Sequence, residues 1–192
     1  MKIKFMSYNT QHCLNFITRE IDFDIIADTI KKCEADIIGL QEIRDEGQDA
    51  DYQSQAKIIA EKLGYHYYYF AEAIRLEGVN PYGNAIISRY PIISAETIMI
   101  PDPEIKKYDG HYETRCLLKA TIDVRNGLYV LVSHFGLNPD EHENAVKTVV
   151  SKETPRGIGG QYLSVKKHGY QIRILRTKLH IVRDHNDGDA AL

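Results

Sequence analysis

The stretch Ala35-Asp36-Ile37-Ile38-Gly39-Leu40-Gln41-Glu42-Ile43-Arg44 constrains this chain more than any other. From Ile37 the run is apolar or glycine for the length of one buried strand, and it breaks abruptly at Gln41-Glu42. A carboxylate at the mouth of a buried strand sits beside low-dielectric core, where one fixed charge can hold a hard cation. The competing reading is that Glu42 is simply the first exposed residue after a strand, the usual place for a carboxylate.

The flanking segments give this strand its company. Lys2 to Tyr8 reads as a first strand with Ile3 and Phe5 on one face, ended by the polar break Asn9-Thr10-Gln11-His12. Asp22 or Asp24 can cap a helix running to Cys33, with Ile26, Ile30 and Cys33 as its apolar stripe. Strand, helix, strand in so short a span points to α/β architecture. Tyr52, Ala56, Ile59, Ala60 and Leu63 line a second helix that Gly64 stops. Tyr65–Ala71 reads as a strand whose tyrosines cover a sheet surface. Asn80–Asn84 reads as a turn, followed by strands at Ala85–Ser88 and Ile92–Ile100 and a loop at Pro101–Gly110. Asn126-Gly127 is a hairpin signal joining Arg115–Val124 to Leu128–His134. Asp140–Val150 reads as a helix with Ala145, Val146 and Val149 inward.

Composition narrows the class. Across 192 residues, 43% hydrophobic and 27% charged side chains allow a packed core and exclude wholesale disorder. No apolar run spans a bilayer, and the start Met1-Lys2-Ile3-Lys4 lacks the apolar stretch of a secretory signal, so a cytoplasmic protein is expected. Cys13, Cys33 and Cys116 match no zinc spacing and read as reduced, mostly buried thiols. Residues 1–150 carry 16 basic and 23 acidic side chains, whereas 151–192 carry 8 and 4. An acidic body is a poor general trap for nucleic acid, although a bound metal inverts the local field for a phosphate substrate. Gly157-Ile158-Gly159-Gly160 fails as a dinucleotide fingerprint, because Tyr162 stands at the third glycine position.

Five segments then fall in order: Ser7-Tyr8-Asn9-Thr10, Asp36–Glu42, Tyr82-Gly83-Asn84-Ala85-Ile86-Ile87-Ser88-Arg89-Tyr90-Pro91, Glu113-Thr114-Arg115, and Val132-Ser133-His134-Phe135. Together they resemble the endonuclease/exonuclease/phosphatase family over roughly residues 2–150. The resemblance implies an α+β fold of two packed, mainly antiparallel sheets flanked by helices, a four-layer αββα sandwich. It also implies hydrolysis of a phosphate ester, a phosphodiester in nucleic acid or a small molecule, with Mg²⁺ or Mn²⁺. By the same resemblance Glu42 and Asn9 lie at the metal, His134 and Asn9 act on the scissile phosphate, and Arg115 and Asn84 line the substrate groove, Asn84 from a loop.

The chain departs from the family after residue 150. It contains no Gly-Asp-Phe-Asn, and Asp184-His185 lacks the flanks of the family's final Ser-Asp-His. The expectation is a family-like domain over 1–150 and an atypical tail over 151–192, with the native C-terminal part altered near Ser151–Thr154. That predicts an incomplete C-terminal sheet, open edges that promote self-association, and weak turnover. A non-catalytic relative that at most binds metal or a partner is the second reading.

Overall fold

The computed structural model of the chain describes residues 2–124 and 127–152 in full, and the backbone of 162–165, 171–175 and 178–182. The first strand–helix–strand unit is a parallel pair. β1 (Phe5–Asn9) runs beside β2 (Ile37–Arg44), with Phe5 opposite Ile37 and Asn9 opposite Gln41. α1 (Phe23–Cys33) connects them. Asp22 is its cap, accepting from the Asp24 and Ile25 amides, and Ile26 and Ile30 are buried beneath it. Asp36 pins the start of β2, accepting from the Lys4 amide at 2.9 Å and pairing with Arg89 at 3.2 Å. β3 (Tyr67–Leu76) and β4 (Asn80–Ser88) complete a sheet ordered β1-β2-β4-β3. α2 (Gln55–Leu63) ends where Gly64 takes a left-handed φ of 70°.

One expected turn is strand. Asn80–Asn84 forms the first half of β4, and the chain reverses instead at Glu77 and Gly78, whose φ values are 53° and 77°. The turn-forming residues have another use here. The Asn80 side chain accepts from the Gln48 and Asp49 amides and donates to the Asp49 carboxylate, pinning the loop after β2. Asn84 therefore lies within β4, opposite Gln41 and Ala71, and not in a loop.

The second sheet is ordered β5-β6-β7-β8, from Ile92–Ile100, Arg115–Ile122, Leu128–Ser133 and Tyr162–Val165. Its first three strands are antiparallel, and β8 lies parallel to β7. α3 (Pro139–Ser151) covers it with Ala145 and Val149, against Leu117 and Leu131. β9 (Gln171–Leu175) and β10 (Lys178–Val182) form an antiparallel pair. Asn126 of the expected hairpin and the end from Asp184 fall outside the described residues; Gly127 keeps a positive φ of 88°.

Four layers follow, helix on sheet on sheet on helix. Ile38, Leu40 and Ile87 face α1 and α2, while Ile37 and Ile86 face Leu118, Ala120, Val130 and Val132 of the second sheet. The sheets approach closely at Gly39, where a Cβ stands 3.0 Å from a Val132 methyl. Cys13 and Cys116 are buried and Cys33 is exposed. No helix among the described residues is long and apolar enough to cross a membrane.

Candidate active site

The polar residues singled out in the sequence gather where β1, β2 and β7 end and β6 begins. Asn9 closes β1 and Glu42 sits one residue beyond Gln41, its register partner. Glu42 is the extra residue of a bulge: Gln41 opposes Asn84 and Ile43 opposes Gly83, leaving Glu42 unpaired with φ of 54°. Ile43 takes the helix-facing core position, so the carboxylate is thrown out of the alternation toward the gap between the sheets. The Asn9 amide donates to Glu42 Oε1 at 2.5 Å, and Asn9 Oδ1 accepts from the Gln11 amide at 3.0 Å. Asn9 thus orients the carboxylate with its NH₂ and turns its oxygen to the backbone.

That backbone is strained. Gln11, His12 and Cys13 all have positive φ, rare for residues with side chains. The turn is held by buried Cys13, by the Leu14 amide on the Gln11 carbonyl, and by the Gln55 side chain on the His12 carbonyl at 2.9 Å. Strain of this kind persists where the surroundings enforce it, and it concentrates at functional sites.

The second sheet supplies the other half. His134, 9% exposed, follows β7 directly and its Nε2 stands 3.7 Å from Glu42 Oε1. Arg115 opens β6 and places its guanidinium Nη1 3.0 Å from His134 Nδ1. A guanidinium only donates, so Nδ1 accepts and the proton of a neutral imidazole is on Nε2. Arg115 Nη1 also meets Glu113 Oε1 at 2.6 Å, while its buried Nε has no hydrogen-bond partner among the described residues.

Four of the five sequence candidates, Asn9, Glu42, His134 and Arg115, therefore meet in one linked cluster. Asn84 is not part of it: 2% exposed, it donates to the Cys116 carbonyl at 3.1 Å and ties one sheet to the other. Three neighbours had been given no role. Glu113 anchors Arg115, and its place in Glu113-Thr114-Arg115 was the available signal. Tyr82, from the third segment, lies near enough to Glu42 and Glu113 that their charges, after burial, push its hydroxyl above the ordinary tyrosine value. It remains a protonated donor. His12 is held below its ordinary value by burial first and the Arg44 charge second, with Glu42 opposing; nothing in the sequence marked it.

The donor set fits a hard divalent cation better than a soft one. Glu42 is the carboxylate not held by an arginine, Glu113 being paired with Arg115, no thiolate faces the cluster, and no group of three or more His, Cys, Asp and Glu side chains that could hold a metal occurs among the described residues. Mg²⁺ suits such a site, since it retains waters and draws remaining ligands from a substrate phosphate.

Comparison with known proteins agrees with this architecture. The chain is similar in fold to an endonuclease/exonuclease/phosphatase from Beutenbergia cavernae, with 20% identity, a TM-score of 0.66, and coverage of 81% of this chain and 45% of that one. A family protein from Bacteroides thetaiotaomicron matches with 16% identity, a TM-score of 0.61, and coverage of 85% and 62%. ANGEL2, a 2′,3′-cyclic phosphatase, matches with 18% identity, a TM-score of 0.56, and coverage of 84% and 50%. The chain thus spans less than two thirds of the length of these structures. No curated protein matches it in sequence. The model of the Endonuclease/Exonuclease/phosphatase family matches residues 6–142, well over half of the chain, and on that match the chain belongs to this family.

Proposed function

We propose that the cluster at the strand ends hydrolyses a phosphate ester by water attack on phosphorus, with a divalent cation held at Glu42. The observation that carries this reading is the convergence of Asn9, Glu42, His134 and Arg115, from two sheets, within one chain of contacts. The unit responsible is residues 1–150. The ANGEL2 activity and the family's name support the reaction class.

Each residue has a part. Glu42 provides the anionic ligand, and Asn9 fixes its rotamer through Oε1. Glu42 would hold a divalent cation, Mg²⁺ or Mn²⁺, which would supply polarisation of a phosphoryl oxygen and charge to stabilise a leaving oxygen. His134 donates from Nε2 to a phosphoryl oxygen, oriented by Arg115 on Nδ1. Arg115, whose guanidinium orients His134, adds its positive charge beside the same anion. Positioned donors of this kind do most of the work in phosphoryl transfer.

Turnover is expected to be low, because the sequence holds no Gly-Asp-Phe-Asn to supply further phosphate contacts or a water-orienting base. Losing a positioned base costs roughly 10²–10⁴-fold. The test is hydrolysis of a chromogenic phosphodiester and of plasmid DNA by pure protein, with Mg²⁺, with Mn²⁺ and with EDTA. A slow cation-dependent rate that vanishes in Glu42→Gln supports the reading. A rate indifferent to both EDTA and Glu42→Gln ends it.

A further inference from the structure

We infer that Glu141, in the first turn of α3, is a positioning residue for the Arg115–His134 pair; this rests on the phosphate-ester reading above, in which that histidine donates to the phosphoryl oxygen. Glu141 is 6% exposed. Its partners are amide groups. Oε2 accepts from the Asn138 backbone at 3.0 Å and from the Asn138 side chain at 2.7 Å, and Oε1 accepts from the Glu113 backbone at 3.3 Å. A buried carboxylate is tolerated at a helix N-terminus, where the dipole and the free N–H groups favour negative charge.

Part of this is helix capping. Asn138 is the N-cap of α3 and Glu141 stands at N3, the reciprocal arrangement that closes a helix start. The bond to Glu113 has no part in capping, because Glu113 lies 28 residues earlier in the chain. It leads straight into the site. Glu113 Oε1 meets Arg115 Nη1 at 2.6 Å, and that nitrogen stands 3.0 Å from His134 Nδ1. The carboxylate also faces the loop after His134: a Cβ at Gly136 would stand 2.2 Å from Glu141 Cδ. Glu113, Arg115, Gly136 and Glu141 line one small cavity.

The rest of the turn grips the same two segments. Asp140 Oδ2 accepts from the Tyr112 hydroxyl at 2.8 Å, Asn138 donates to the His111 carbonyl at 3.0 Å, and His142 Nε2 donates to the Gly136 carbonyl at 2.6 Å. Residues 101–114 hold neither helix nor strand, so the approach to Arg115 needs an external mount. α3 supplies it, fixed to the second sheet by Ala145 and Val149.

The consequence is a choice of tautomer. While Arg115 donates to Nδ1, the neutral imidazole keeps its proton on Nε2, the nitrogen 3.7 Å from Glu42 Oε1. With the Glu113 backbone released, Arg115 loses its anchor and Nδ1 its donor, and the proton redistributes between the two ring nitrogens. The Nδ1–H form has no proton on Nε2 to donate to a phosphoryl oxygen.

Glu141→Gln keeps the shape of the side chain and can still cap α3. Its single oxygen is drawn to the two Asn138 donors, which turns the NH₂ group at the Glu113 amide. The imidazole nitrogens of His134 are read by ¹⁵N NMR on histidine-labelled protein above the histidine titration range, and His134→Gln assigns them among the eight histidines. The unsubstituted chain should show the Nε2–H form and Glu141→Gln a mixture, and kcat on a chromogenic phosphodiester should fall roughly 10²-fold with KM unchanged. Asn138→Ser retains a good N-cap but loses the side-chain NH₂, so it should move the same signals, and it decides the matter if Glu141→Gln does not fold. Val149→Ala weakens α3 from its buried face and should leave them in place. His134 nitrogens that are unchanged in Glu141→Gln and Asn138→Ser, that change equally in Val149→Ala, or that lack the Nε2–H form in the unsubstituted chain overturn the inference. The spectra need no turnover, so a chain that hydrolyses nothing while its tautomer still responds fails the hydrolase reading alone.

Discussion

The Asn9 side chain donates to Glu42 Oε1 at 2.5 Å across two parallel strands, and His134 Nε2 of the other sheet stands 3.7 Å from that same oxygen. One carboxylate oxygen is thus where the two sheets meet chemically. If Glu42 holds a cation, ligand binding to the native state raises stability, by about 2.7 kcal/mol at a hundredfold excess over Kd. Mg²⁺ or Mn²⁺ should therefore raise the melting temperature of the protein. Glu42→Gln should abolish the increase, while Glu61→Gln, a surface control on α2, should retain it. A cation response that survives Glu42→Gln would place the metal elsewhere.

The legible part of this fold was what local chemistry dictates. Asp22 as a cap, Gly64 as a stop and the Ile37–Leu40 run each act through neighbours close in sequence. The bulge at Glu42 was not legible, because it depends on which residues of β4 oppose β2. The same limit misplaced Asn80–Asn84: Asn, Pro and Gly are turn formers locally, but here Asn80 braces a distant loop and Gly83 solves a packing problem. Of the site, the residue types were visible and the wiring was not. Nothing in the sequence puts Arg115 on His134 Nδ1 or sets Asn84 apart from the cluster.

Gly83 lies opposite both bulges, with Ile43 on one side and Glu72 on the other. A Cβ there stands 2.0 Å from the Ala71 carbonyl oxygen, which is backbone and cannot rotate away. Gly83→Ala should cost about 4 kcal/mol or more, or prevent folding. Gly39→Ala meets only Val132 methyls, from 3.0 Å, and should cost about 1–3 kcal/mol. Val132→Ala should recover part of that loss in urea unfolding. Additive losses in the double variant would show that the sheets do not touch at this point.

Arg115 serves two partners, Glu113 at 2.6 Å and His134 at 3.0 Å. Removing it by Arg115→Met leaves a half-buried carboxylate without its donor, at a cost of about 1–3 kcal/mol. In Glu113→Gln/Arg115→Met the loss should be smaller than the sum of the single variants, because neither group is then orphaned. Additivity would mean that the pair is only a surface contact.

The thiols give the pH dependence. Burial pushes Cys13 up to about 12 and Cys116 up to about 11, from an ordinary 9.0, with Thr10 opposing at Cys13 and Asn84 opposing at Cys116. A pKa raised by folding means that the unfolded chain loses its protons first. The associated stability is complete below pH 9 and drains away as pH rises through about 9 to 12. Between pH 7 and 8.5 a thiol reagent should therefore modify exposed Cys33 alone in the native protein, and all three cysteines in urea. Cys13→Ala/Cys116→Ala, although less stable at neutral pH from the lost packing, should show a flatter decline in urea-unfolding free energy above pH 9. An equally steep decline would assign the alkaline transition to other groups, beginning with Tyr82, whose hydroxyl is also held above its ordinary value.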